Sequence, residues 1–127
     1  MDRRSFEGQR PSRRLSRAAP GVVRPRKKAE YEIRFGSRQA EKGWQDLRAT
    51  HLNAIVDAWD FLTKTPLATS VTNHQLKAEL ATVVRGGKTF DRWQHELPGG
   101  ARIWFYVEDW VVYLVDVHTR HPNQTKT

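Results

Sequence analysis

Arg92, Gln94, His95, Glu96, Arg102, His118, Arg120, His121 and Lys126 concentrate polar and cationic side chains in the C-terminal part of this 127-residue chain. These residue types suit the cleavage of RNA. A base must take the 2′-hydroxyl proton, a cation must stabilise a pentavalent phosphorane, and an acid must protonate the departing 5′-oxygen. Histidine titrates near neutrality and can fill either proton-transfer role, whereas arginine is a permanent cation that clamps phosphate in bidentate fashion.

Most of these residues also have a structural reading. His95 shares an alternation face with Trp93 and Leu97, as a half-buried histidine with satisfied nitrogens would. His118 can bond Asp116 on the same strand face, and Arg102 can be a surface cation beside Glu96. Trp104 and Tyr106 either stack on bases or pack against a helix. Arg120-His121, at the end of an apolar run, is the pair least easily explained as structure.

Other chemistries find little support. The chain has no cysteine, which removes disulfides, thiolate zinc sites and cysteine nucleophiles together. Gly86-Gly87 and Gly99-Gly100 lack the strand-loop-helix setting of a nucleotide-binding loop, and Ser37 and Ser70 lack a nucleophile elbow. His118 and His121 lie three apart near Asp116, without the helical HExxH geometry of a zinc site. Neither a metal nor a cofactor is expected.

The elements that must position these residues can be read from periodicity. Tyr31, Ile33 and Phe35 alternate with Glu32 and Arg34, the signature of a half-buried strand. Ser37 is a good helix N-cap, with Ala40, Trp44 and Leu47 following at helical spacing to about Ala49. Thr50 can cap a second helix in which Leu52, Ile55, Val56, Trp59 and Leu62 share a face until Pro66. A helical hairpin is expected rather than one bent helix, because Thr50 and Asn53 are weak in mid-helix.

Residues 66–75 read as a polar connection and Leu76–Leu80 as a short edge element, with Arg85-Gly86-Gly87-Lys88 as a turn. Strands follow over 90–97, 101–109 and 111–120, separated by Pro98-Gly99-Gly100 and Glu108-Asp109-Trp110. The last, near-continuously apolar, should be central. The order β-α-α-β-β-β predicts an α+β domain, helices on one face of a small, mainly antiparallel sheet.

Charge is distributed unevenly. The formal net charge is +8, and residues 1–28 alone carry ten basic and two acidic residues, so residues 29–127 are neutral overall. With Pro11, Pro20 and Pro25 and few large apolar groups, residues 1–28 read as a flexible basic arm and 29–127 as the folded domain. The arm would attract phosphate backbones without reading sequence, or serve as a solubilising extension or a mis-assigned start. No apolar run approaches the ~20 residues of a membrane span and no apolar signal core follows the first arginines, so a cytoplasmic location is expected.

With these elements in order, GGARIWFYVED followed by VVYLVDVHTRHPNQT, and Leu76-Lys77 before them, resemble the RelE/ParE superfamily of toxins from type II toxin–antitoxin systems over residues 30–127. For RelE-like members the resemblance implies a metal-free endoribonuclease that enters the ribosomal A site and cleaves mRNA, inhibiting translation. Arg102 and Arg120 match the family's phosphate-contacting arginines, and Arg92, Gln94 and His95 fall near its basic strand positions, with Lys126 a further RNA contact. Some members use a C-terminal tyrosine and others a histidine as acid or base; here His118 or His121 would take that place. The resemblance also implies a cognate antitoxin beside the ribosome and mRNA as partners. ParE-type members share the fold and poison DNA gyrase, which leaves gyrase inhibition, or an inactive antitoxin-binding module, as the alternatives.

Overall fold

The computed structural model describes residues 30–120. The basic arm read over residues 1–28, together with His121 and Lys126, lies outside the described residues. Strand β1 (Glu32–Phe35) leads into helix α1 (Arg38–Thr50), where the Ser37 hydroxyl accepts a bond from the Ala40 N–H (3.0 Å) as the N-cap. Helix α2 (Leu52–Lys64) follows after one residue, His51. Thr50 is not its cap. It ends α1, with its hydroxyl donating to the Asp46 carbonyl (2.9 Å), and His51 stands at the N-cap position without a side-chain capping bond to the helix. The chain does fold back here. The Trp44 and Trp59 rings lie 6.2 Å apart, where one straight helix would separate them by about 22 Å.

The strands are more numerous than the periodicity suggests. Beyond α2 the chain forms β2 (Asn73–Gln75), a 3-10 turn at Ala78–Leu80, β3 (Thr82–Arg85), β4 (Lys88–Asp91), β5 (Trp93–Glu96), β6 (Arg102–Glu108) and β7 (Val111–His118). Five strands make one sheet in the order β1-β7-β6-β5-β2, with β1 parallel to β7 and the other pairs antiparallel; β3 and β4 form a separate hairpin. Three differences from the sequence reading stand out. The polar connection 66–75 ends in β2, the expected edge element at Leu76–Leu80 is a 3-10 turn, and the strand over 90–97 is two strands. The break falls at Arg92, whose N–H donates to the Ala81 carbonyl and whose carbonyl accepts from Leu76, pinning a corner between the two sheets. Gly86 and Gly87, both at positive φ, close the β3–β4 hairpin as a tight turn requires.

Ala40, Leu47, Ile55, Ala58 and Leu62 from the helices meet Ile103, Phe105, Val112, Leu114 and Val117 of the sheet in the main core. Full burial of side chains such as Phe105 and Leu114 contributes roughly 1.5–3 kcal/mol each. Only part of the expected α2 face is buried. Leu52, Val56 and Trp59 stay about half exposed and, with Phe35 and Trp44, line a shallow groove of about 400 Å³. Helix α1 lies against β7 because Gly43 has no side chain; a Cβ there would stand 2.3 Å from the Val117 carbonyl oxygen.

Strand β1 stops opposite Leu114, leaving the rest of that edge of β7 without a neighbouring strand. Side chains continue the ladder: Ser37 Oγ donates to the Val115 carbonyl (2.7 Å), while the Gln39 amide donates to the Val117 carbonyl (2.8 Å) and accepts from its N–H (2.9 Å).

Candidate functional site

The sheet face turned away from the helices holds most of the chemistry. Pairing aligns two rows of residues across β5, β6 and β7: Glu96, Arg102 and His118 in one, and Gln94, Trp104 and Asp116 in the next. A β-bulge makes this possible. Phe105 pairs with Leu114 but Trp104 pairs with Asp116, so Val115 is an extra residue in β7. Before the bulge the even-numbered Val112 and Leu114 face the helices; beyond it Val117 does, and His118 comes round to the open face. Without the extra residue, period-two alternation would bury His118 under α1.

The indole of Trp104 is the floor of the site. It is buried, its Nε1 donates to Gln94 Oε1 (2.9 Å), His118 meets it edge-on with centroids 4.5 Å apart, and the Arg92 guanidinium carbon stands 5.5 Å from its centroid. Arg92 is tethered through Nη2 to the Thr82 carbonyl (3.1 Å). Arg102 lies against Glu96, Nη2 to Oε2 at 3.3 Å; its side chain is only 13% exposed, against 36% for Glu96, so it is not the surface cation of the simpler reading.

Among the described residues, three buried side-chain nitrogens lack any hydrogen-bond partner: Arg92 Nε, Arg102 Nε and His118 Nε2. A polar group left unpaired costs about 1–3 kcal/mol, more when it is charged, so three on one face mark a place where hydrogen-bond partners are missing. Burial is the chief reason that the His118 pKa lies below the usual imidazole value; Arg102 also lowers it and Asp116 opposes. The ring is held neutral near pH 7.

Arg102, His118 and Arg92 are therefore brought to one face. Gln94 lies there too, buried and with its carbonyl engaged by the indole, as a support for Trp104. Arg120 is exposed, two residues beyond His118 in the bend that leaves β7. His95 is not part of this cluster. It points to the helix side, stacks on Phe61 with centroids 4.7 Å apart, and donates through Nδ1 to Asn73 Oδ1 (3.2 Å), which matches its structural reading; burial lowers its pKa. Trp104 and Tyr106 face away from the helices, Tyr106 stacking between Phe90 of β4 and Tyr113. The residue underweighted by sequence reasoning is Glu96, and the signal for it was present: in a hairpin closed at Pro98-Gly99-Gly100, Glu96 falls opposite Arg102. Among the described residues no group of three or more His, Asp or Glu is placed to hold a metal ion.

No family model matches this chain, and no curated protein matches it in sequence. Among solved structures, that of the YoeB dimer from Staphylococcus aureus matches with a TM-score of 0.53 at 15% identity, over 71% of this chain and 97% of that one. The two share a fold, a pair of helices on a mixed sheet. No described helix is long and apolar enough to cross a membrane.

Proposed function

We propose that this protein is the toxin of a toxin–antitoxin pair and acts as a ribosome-dependent endoribonuclease on mRNA, with a cognate antitoxin as its partner. The observation that carries the reading is the set of unpartnered nitrogens of Arg92, Arg102 and His118 around one indole. The fold shared with YoeB and the resemblance of residues 30–127 to RelE-like toxins support it.

In this mechanism the neutral His118 imidazole accepts the 2′-hydroxyl proton of the nucleotide being cut. The 2′-oxygen attacks the adjacent phosphorus, and Arg102, joined by Arg120, stabilises the charge of the phosphorane. The 5′-oxygen leaves as it takes a proton from His121. Arg92 holds Trp104 and adds positive potential; Gln94 fixes the indole. Because the unpartnered atoms are closed off from bulk water, the Arg102 and His118 side chains must turn outward to meet RNA.

The test is cleavage of mRNA on programmed ribosomes, run beside DNA gyrase supercoiling with the same preparation. Wild-type protein should cut mRNA and leave supercoiling intact, and Arg102→Ala and His118→Gln should each lose about 10²-fold or more in cleavage rate while retaining the native circular dichroism spectrum. Inhibition of gyrase without RNA cleavage, or wild-type cleavage by both folded variants, would overturn the reading.

A further inference from the structure

The Glu96 carboxylate is unexpected beside an arginine meant for phosphate. It is the more exposed partner of the pair, 3.3 Å from Arg102 Nη2, and the two residues are fixed opposite one another by the β5–β6 register. Glu96 already lies against one nitrogen of the guanidinium fork that an anion would take. A second carboxylate, Asp116, lies in the adjacent row. The two formal negative charges offset those of Arg92 and Arg102, so that with His118 neutral the exposed Arg120 supplies the remaining positive charge.

We propose that Glu96 is a specificity-determining residue that makes the site select an internal phosphodiester over a terminal phosphomonoester. This rests on the ribonuclease reading above and names the substrate feature that the site admits. A phosphodiester carries one negative charge; a terminal phosphate carries nearly two at pH 7.5, its second ionisation lying near pH 6. Repulsion by a fixed carboxylate scales with ligand charge, so it penalises the second form twice as much in free energy as the first. Glu96 also competes directly for the guanidinium fork, and a ligand must displace it. Glu96 thus offsets the stronger attraction that the arginines exert on a dianion, and a strand end bearing a monoester loses its advantage over the diester.

The scaling yields a test that does not depend on absolute affinity. In its coulombic part, a factor by which Glu96→Gln tightens binding of a monoanion becomes its square for a dianion, while release of the guanidinium fork adds the same gain to both. A factor on the order of tenfold is expected for one charge removed beside a partly buried ion pair, hence on the order of a hundredfold for the dianion. The full chain is titrated at pH 7.5 with a non-cleavable diester, a uridine dinucleotide bearing a 2′-O-methyl group, and separately with uridine 3′-monophosphate. Binding is followed by the His118 ring resonances.

Wild-type protein should favour the dinucleotide. Glu96→Gln should bind both ligands more tightly and reverse or abolish that preference, and Glu96→Asp, which keeps the charge, should retain it. A preference unchanged in Glu96→Gln, with the dinucleotide still bound, overturns the gate and leaves the ribonuclease reading standing. Failure of wild-type and Glu96→Gln protein alike to bind either ligand overturns the gate, while the ribonuclease reading is decided separately by cleavage on programmed ribosomes.

Discussion

Replacing Gly43 with alanine tests the way α1 seats against the sheet. In an exposed helix interior this change stabilises by roughly 1 kcal/mol, because alanine is the better helix former. Here the opposite is expected. The new Cβ would stand 2.3 Å from the Val117 carbonyl oxygen and 2.8 Å from Val117 Cβ, about 1 Å inside ordinary contact. The obstacle is backbone, so α1 and β7 must separate. Overpacking of this kind costs about 1–3 kcal/mol, and a gap of ~1 Å forfeits up to half of each dispersion contact along the interface. The Gln39 bonds to Val117 span the same gap and would be strained as well. Set against the propensity gain, a net loss of about 2 kcal/mol is expected, or a fall in Tm of roughly 10 °C for a domain of this size. Urea denaturation followed by tryptophan fluorescence measures it. A Gly43→Ala protein as stable as wild type, or more so, would refute the close approach of α1 to β7.

Gln39→Ala should destabilise by about 1–3 kcal/mol, since it leaves both the N–H and the carbonyl of Val117 unpaired at a part-buried edge; urea denaturation reads the loss, and an unchanged midpoint would count against the side-chain ladder. Stability should also depend on pH through His95 and His118, whose folded pKa values burial lowers. The unfolded chain binds protons first, near pH 6.5, so the stabilisation is fully present above that value and is lost as pH falls through the window below it, towards the depressed folded values. Denaturation at pH 7.5 and pH 5 should show a lower midpoint at pH 5, and the difference should shrink in the His95→Gln, His118→Gln double variant; equal pH dependence of the two proteins would contradict the burial of these rings.

Local patterns were legible where the physics is local. The alternation of Ile33 with Glu32 and Arg34, the Ser37 cap, the helical stripes and the strands β6 and β7 follow from short-range periodicity and capping, and the structure carries them. Asn73-His74-Gln75 has no apolar rhythm; it is a strand because β5 offers an edge and because the buried Asn73 amide bonds the Pro66 and Ala68 carbonyls (2.8 Å each). The break at Arg92 is equally silent, since alternation runs through it and only the Ala81 and Leu76 backbone bonds make a corner. The bulge at Val115 does leave a trace in the spacing of Val112, Leu114 and Val117, where the core-facing step lengthens from two residues to three. Glu96, Arg102 and His118 could be placed together from the hairpins they share, whereas the depth of Arg102 relative to Glu96 comes only from the exposure and distance of their ion pair.

The parallel strand at one edge of the sheet has a consequence for the life of the chain before it is complete. Ser37 and Val115, bonded in the fold, are 78 positions apart, so the strand that joins them is synthesised long after both helices. Until β7 emerges, the apolar stripe of α1 and α2 has no central strand to cover it, and Arg102 has no His118 beside it. A growing polypeptide therefore exposes that stripe until β7 is made, and nascent chains need shelter from aggregation in the interval.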